Sequence, residues 1–400
     1  MKNKVYYGEY SLKHWIDLML SENIILPDYQ RSFAWDEKDV KRLIDTFTNN
    51  QFVPPVTIGV YTKSNGKENL ILDGQQRLTS ILLAYLGIIP IKDRFEKAGN
   101  SNANQESESN SSTSSDTVIK WRFSALLNFG NKRDDIVNNI KSDNIAQNYR
   151  SIDFTIDDDF LNSHYLGFSL LIPDESEQKN YFASTFIDIN SHGKELDSME
   201  IREALYYLDE NLKEFFSPKY NAGYIVKPKS YAYKMDFVKY LSMISQYIHE
   251  GKNVKNIAIG TRRKQEALEN GYFLPYIQSI IQNKESDIWG KYSEISTVFP
   301  NNSWEGRISK LGVYLEKLLG GRYTFKSIID IDMHLFGLVY YIIFENREII
   351  DDKINELKDK ILNESKNLQN DKQHSKSPNQ LQHIRKRIEK SIEIYGGFIL

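Results

Sequence analysis

The sequence predicts an α+β protein: a mixed α/β N-terminal lobe followed by an α-helical C-terminal lobe. Three observations carry this. A hairpin signature runs directly into an amphipathic helix between Val56 and Gly87. From Gln178 onward the apolar period is helical almost to the end of the chain. A Ser/Asn-rich stretch, Ala98–Thr117, offers nothing apolar to bury and interrupts the first lobe. At 400 residues the chain forms two cores more readily than one. The expected division is 1–206 and 207–400, with 98–117 a disordered surface insertion.

In chain order, Tyr10–Leu20 reads as a short amphipathic helix with Ser11 as N-cap. Asp36 opens a second helix to Thr48, with Asp39 three residues on as the start signal. Val56–Tyr61 is a strand, Asn65-Gly66 the turn, and Asn69–Leu72 the returning strand. The helix Gln75–Leu86 sets Leu78, Ile81, Leu82 and Tyr85 on one face and stops at Gly87. Val118–Leu127 has a strand pattern, and Gly167–Ile172 is a short buried strand. Helical periods follow at Asn180–Ile189, Ser198–Tyr207, Tyr231–Glu250, Lys264–Asn270, Ile308–Leu319, Met333–Phe344 and Ile349–Asn367. Asn370–Asn379 reads as a polar linker before a last basic helix, Gln380–Tyr395. The triplet Asp157-Asp158-Asp159 reads as a loop, because consecutive carboxylates converge poorly on one metal.

Composition narrows the chemistry. With no cysteine there is no disulfide, thiolate metal site or cysteine nucleophile. The formal charge of −3 advertises no nucleic-acid partner, so any DNA contact must come from a local basic face. The N-terminal residues lack the apolar core of a signal peptide, and the longest apolar run, Leu335–Phe344, is too short to span a bilayer. The expectation is a cytoplasmic protein with no membrane partner.

The string Asp73-Gly74-Gln75-Gln76-Arg77 is the most informative one. It falls where a strand turns into a helix, leaving first-turn amides without carbonyl partners at the positive end of the helix dipole. Gly74 permits a sharp turn and close approach of a ligand. Arg77 can offer a bidentate fork to phosphate oxygens. Asp73 can hold a metal, orient water or take a proton. The pattern points to a nucleotide-phosphate site, and a plain strand–turn–helix cap is the alternative.

Three segments together resemble the N-terminal domain of GmrS-type modification-dependent restriction proteins. They are Leu26-Pro27-Asp28-Tyr29-Gln30-Arg31 with Phe33 and Trp35; Ile71 through Thr79, containing the whole Asp-Gly-Gln-Gln-Arg hallmark; and Phe186–Asn190 followed by Gly193, Leu196, Glu200 and Arg202. The resemblance covers roughly residues 9–206. It implies a ParB/sulfiredoxin-like N-terminal domain in a bacterial defence protein that binds a nucleoside triphosphate with Mg²⁺ and acts on modified or foreign DNA. It further implies Asp73, Gln75, Gln76 and Arg77 as catalytic residues, with Asp73 on the metal. Tyr29, Gln30, Arg31, Gly74, Thr79 and Asn190 would line the nucleotide. The family pattern often has Arg-Asn-Ala where this chain has Arg202-Glu203-Ala204, so contacts made by that Asn do not carry over.

Family members often carry or work beside an HNH-like nuclease. In the last 200 residues this chain has only His249, His334, His374 and His383, in no ββα metal pattern. His334, in an apolar helix, reads as a core histidine. The alternatives are therefore a non-enzymatic DNA-modification reader or specificity partner of a separate nuclease, and a metal-dependent nickase using Asp73. Arg262, Arg263 and Lys264, and Arg385 and Arg387 with Lys386 and Lys390, are either solvated helix faces or a DNA-phosphate track.

Overall fold

The computed structural model describes residues 3–26, 33–63, 66–91, 121, 123–142, 148–191, 198–208, 210–227, 233–259, 268, 272–282, 292 and 303–400. These divide into two units, one up to Ala204 and one from Leu205. The Ser/Asn-rich stretch lies outside the described residues.

The first unit is built on a four-stranded sheet of β1 (Lys4–Ser11), β2 (Val56–Lys63), β3 (Gly66–Asp73) and β6 (Tyr165–Ile172), in the order β1-β6-β2-β3. A small ribbon pairs β4 (Ile88–Pro90) with β5 (Tyr149–Ser151). β2 runs parallel to β6, and the other neighbours are antiparallel. Its helices are α1 (Leu12–Leu20), α2 (Glu37–Thr48), α3 (Gln75–Leu86), α4 (Ser124–Leu127), α5 (Arg133–Ser142), α6 (Asp158–Ser163) and α7 (Gln178–Ser191). The division between units falls inside α8 (Ser198–Leu208).

Local chemistry sets the helix starts. Ser11 is the last residue of β1 and accepts from the His14 amide, so α1 begins at Leu12. Asp36 and Asp39 form a reciprocal capping box at α2. One sheet face supplies Val56, Ile58 and Ile71 to an apolar cluster with Trp15 and Ile16 of α1, Val40 and Ile44 of α2, and Leu78 and Ile81 of α3. The Trp15 indole donates to the Leu166 carbonyl at 3.1 Å, satisfying its one buried polar group. The opposite face carries α7. A Cβ on Gly59 would lie 2.4 Å from the Phe182 ring, so glycine is what lets that helix lie against the sheet.

The second unit contains α9 (Glu210–Phe216), β7 (Tyr224–Val226), β8 (Tyr233–Lys234), α10 (Val238–His249), α11 (Leu274–Gln282), α12 (Trp304–Leu319), β9 (Tyr323–Phe325), α13 (Ile328–Val339), α14 (Ile354–Asn370), α15 (Lys372–Lys376) and α16 (Leu381–Gly396). A π turn, Tyr340–Phe344, continues α13. It is largely helical, with a small sheet in the order β8-β7-β9. The Ser391 hydroxyl of α16 accepts from Gly337 N at 2.7 Å and donates to Met333 O at 2.8 Å. It thus bridges a donor and an acceptor four residues apart on α13 and locks the two helices together.

Several expectations need correction. β1 carried no strand signal, because most of it is exposed at the sheet edge and no alternation is imposed on it. Ser124–Leu127 is helical where a strand was expected. Tyr233–Lys234 is a strand, and the following helix starts only at Val238. Asp157 is an N-cap, accepting from Phe160 N at 2.8 Å, so the acidic triplet starts α6 where a loop was expected. Asn370–Asn379 is no free linker, since α14 reaches Asn370 and His374 is buried within α15.

That burial belongs to a charged core. Asp332 is fully buried and accepts from Lys239 Nζ at 2.7 and 2.8 Å, Tyr240 OH at 2.9 Å and Arg387 Nε at 2.9 Å. Burial pushes the Asp332 carboxyl up, but Lys239 and Arg387 outweigh it and hold it below the usual carboxylate range. Arg387 also reaches His374 Nε2 at 2.8 Å and Pro378 O at 2.7 Å. The arginine can only donate, so His374 Nε2 is the acceptor and the ring is neutral. His374 stacks on His383 with ring centroids 4.5 Å apart. Removing one partner of such a buried pair costs about 3–5 kcal/mol, because it leaves the other charge uncompensated.

Burial, reinforced by Arg387, His383 and Lys386, lowers the His374 pKa from 6.5 to about 4. Between those values the unfolded chain binds more protons than the folded one. The contribution of His374 is therefore complete above pH 6.5 and is lost as the pH falls toward 4. The thermal midpoint should fall across that window. His374→Gln, which keeps an acceptor for Arg387, should flatten the slope, and an unchanged slope would contradict this assignment.

Candidate functional site

The site is built where β3 feeds α3. Gly74 is the N-cap of α3 at φ 100°, a left-handed conformation that costs an L side chain and suits glycine. A Cβ there would lie 2.9 Å from Val56 Cγ2 and 3.3 Å from Val56 Cα. Conformation and space both exclude a side chain. Being glycine, Gly74 provides no side-chain cap to the first turn of α3.

A bulge sets what Asp73 faces. Ile58 pairs with Ile71, but Thr57 pairs with Asp73, so Leu72 is the extra residue of β3. A bulge re-aims the residue that follows it, and here it brings Asp73 into register with Thr57. Asp73 Oδ2 accepts from Arg77 Nη2 at 2.6 Å, and Arg77 Nη1 donates to the Pro54 carbonyl at 2.8 Å. The Arg77 side chain is 11% exposed and the Asp73 side chain 47%. The guanidinium is thus fixed from two sides, while much of the carboxylate faces solvent.

The two glutamines differ. Gln76 Oε1 accepts from the Ala34 amide at 2.9 Å. Upstream, Ile25 bridges Leu70 of β3 in parallel, with Ile25 N on Asn69 O and Ile71 N on Ile25 O. The two described flanks of the Tyr29-Gln30-Arg31 segment are therefore both tied to the β3–α3 junction. Tyr29, Gln30 and Arg31 themselves lie outside the described residues. Gln75 Oε1 is buried and, among the described residues, accepts no hydrogen bond. Thr79 is 2% exposed, one turn after Gln75 in a stretch of α3 that is buried all round.

Helix α7 approaches the same end of the sheet. Gln178 exchanges hydrogen bonds with Thr62, and Phe182 lies at Gly59, so the helix runs toward the Val56 end of β2. Asn190 lies about 12 Å beyond Phe182 at 1.5 Å per residue, in the last turn of α7. That brings the backbone of Asn190 to the end of the sheet where Gly74 touches Val56. The helix expected to end at Ile189 runs on through Ser191.

The basic residues read as a DNA track divide differently. Arg387 is fully buried on Asp332, His374 and Pro378, so it has no surface to offer a phosphate. Arg385 is half-buried and donates to the Ile257 carbonyl. Arg262, Arg263 and Lys264 lie outside the described residues. His334 is a core residue, fully buried with Nδ1 2.8 Å from the Asp330 carbonyl. Among the described residues no group of three or more His, Asp or Glu is placed to hold a metal.

Sequence reasoning missed the Pro54 carbonyl, Thr57 and the Val56 wall. Their only sequence signal is Pro54-Pro55 immediately before β2, since partners across a sheet are set by register.

Residues 13–207 match the family described as "GmrSD restriction endonuclease, N-terminal domain". A 92-residue alignment to the uncharacterised protein MJ0686 of Methanocaldococcus jannaschii is 33% identical and covers 18% of this chain. It spans 16% of that relative's length. No solved structure matches the chain. Among the described residues no helix is long and apolar enough to cross a membrane.

Gly74→Ala should destabilise the first unit by about 1–3 kcal/mol through the left-handed φ and the Val56 contact. Denaturant titration measures this, and a loss below about 0.5 kcal/mol, the usual range for a surface substitution, would show the turn to be relaxed.

Proposed function

We propose, from the premise that residues 13–207 are a GmrS-type N-terminal domain, that the protein is a restriction-type defence protein that binds and hydrolyses a nucleoside triphosphate. Nucleotide turnover at the Gly74 turn would be coupled to sensing or restricting DNA. The observation that carries this reading is the Asp73–Arg77 pair: a nearly buried guanidinium, held by Asp73 and the Pro54 carbonyl, at the N-terminal turn of α3. Such a turn favours anions by its amides and dipole, and Arg77 adds the charge-assisted fork.

Each residue then has a role that its position supports. An arriving polyphosphate competes with Asp73 for Arg77, and the exchange releases the carboxylate. Asp73 would hold Mg²⁺, whose usual protein share is one or two carboxylates alongside substrate phosphates. When bound, the ion would offset charge on the phosphate oxygens. Arg77 stays fixed by Pro54 and stabilises charge developing on the transferred group. Gln75 Oε1, with no hydrogen bond among the described residues, orients the attacking water. Gln76 acts through Ala34, which it ties to the first turn of α3, and Tyr29, Gln30 and Arg31 would line the nucleotide. Asn190, at the same sheet end, closes over the nucleotide.

A second reading, a specificity partner for a separate nuclease, is favoured by the histidines of the second unit. Of its four histidines, His334, His374 and His383 are buried in helix packing and His249 stands exposed at the end of α10, and the DNA-cleaving step would then fall to the partner.

With Mg²⁺, the protein should hydrolyse at least one of ATP, GTP, CTP and UTP. Asp73→Ala and Arg77→Ala should each lower turnover by about 100-fold or more, the usual cost of removing a transition-state charge partner, with circular dichroism unchanged. A wild-type protein that neither binds nor hydrolyses any of the four would overturn the proposal.

A further inference from the structure

The strand register extends the site across the whole sheet. Asp73 of β3 pairs with Thr57 of β2, Thr57 with Ser169 of β6, and Ser169 with Tyr7 of β1. The four residues therefore form one row, side by side over all four strands. The row lies on the sheet face that carries α7, opposite the one packed on α1 and α3, two residues along β2 from the Gly59–Phe182 contact, since Ile58 and Ile71 next to it point into the α1–α3 core. Thr57 and Ser169 are half-buried, and the Ser169 hydroxyl donates to Thr57 Oγ1 at 3.2 Å. At the far end Tyr7 is 81% exposed, an aromatic ring left in solvent on a regular strand.

We infer that this row is a nucleobase subsite continuing the phosphate site, with Tyr7 as the stacking platform for the base. The inference rests on the nucleotide reading of Asp73 and Arg77 and adds to it where the rest of the nucleotide lies. Three strand spacings separate Asp73 from Tyr7, about 14 Å, a reach that matches an extended nucleoside triphosphate. Along that path the chemistry changes in the order the ligand requires. Charge stands at Asp73 and Arg77 for the phosphates, paired hydroxyls at Thr57 and Ser169 for the sugar, and an exposed ring at Tyr7 for the base. A ring offering only its face recognises every base, because each has a π surface. Stacking of this kind supplies affinity for nucleosides in general, and choice among bases has to come from edge contacts elsewhere. The chemistry at Tyr7 also suits a base of single-stranded nucleic acid, but the row ends at the phosphate site, and that continuity assigns it to the nucleotide.

The test uses the full chain with Mg²⁺ and compares nucleoside triphosphates, inorganic tripolyphosphate and a single-stranded oligonucleotide by calorimetry. Tyr7 is a surface residue, so Tyr7→Ala should leave the fold intact. It should weaken nucleoside triphosphate binding at least about fivefold, the lower end of what one base stack supplies, and leave tripolyphosphate binding unchanged. Tyr7→Phe should restore nucleotide affinity. Unchanged nucleotide binding by Tyr7→Ala would overturn the base subsite while leaving the phosphate site standing. An equal loss for tripolyphosphate, or a loss confined to the oligonucleotide, would also overturn it. Wild-type protein that binds neither nucleotide nor tripolyphosphate would remove the phosphate reading itself, and the inference with it.

Discussion

Everything proposed for the first unit depends on a turn that only glycine can make. Gly74 leaves β3 in a left-handed conformation with Val56 pressed where a side chain would be. That turn ends β3 and starts the helix at Gln75. It brings Arg77, one turn later, back onto Asp73 and Pro54. Gln76 comes from the same turn and fixes Ala34. The bulge at Leu72 completes the arrangement by setting Asp73 beside Thr57. The motif is a single backbone event with several side chains arranged by it.

The two units use ion pairs for opposite ends. Asp332 is enclosed by Lys239, Tyr240 and Arg387, every partner buried. Its value lies in fixing helix positions, since opening it strands a charge in the core. The Asp73–Arg77 pair is half in solvent on the carboxylate side, where an ion pair contributes on the order of 1 kcal/mol or less. A multiply charged ligand can displace such a carboxylate at little cost. The first pair is suited to architecture, and the second to exchange.

How much of this was legible in the sequence depends on the range of the interaction. Helix α3 spans Gln75–Leu86 as expected, because Gly74 and Gly87 mark both ends. The Asp36 cap and the Ser11 cap were readable for the same local reason. β1 was not readable, since an exposed edge strand carries no burial alternation. Arg387 was read as a surface cation because a basic run does not reveal which residue faces inward. Its partner Asp332 lies 55 positions away. The same limit hid the row from Asp73 to Tyr7, which exists only through strand register. The motif's identity was local, whereas the shape of its site was not.

Hydrogen–deuterium exchange with and without a Mg²⁺–nucleoside triphosphate tests the central claim most directly. Bound nucleotide should slow exchange in the peptide spanning Gly74–Thr79, where first-turn amides would meet phosphate. Nucleotide bound at saturation with no change in that peptide would place the ligand elsewhere and contradict the account.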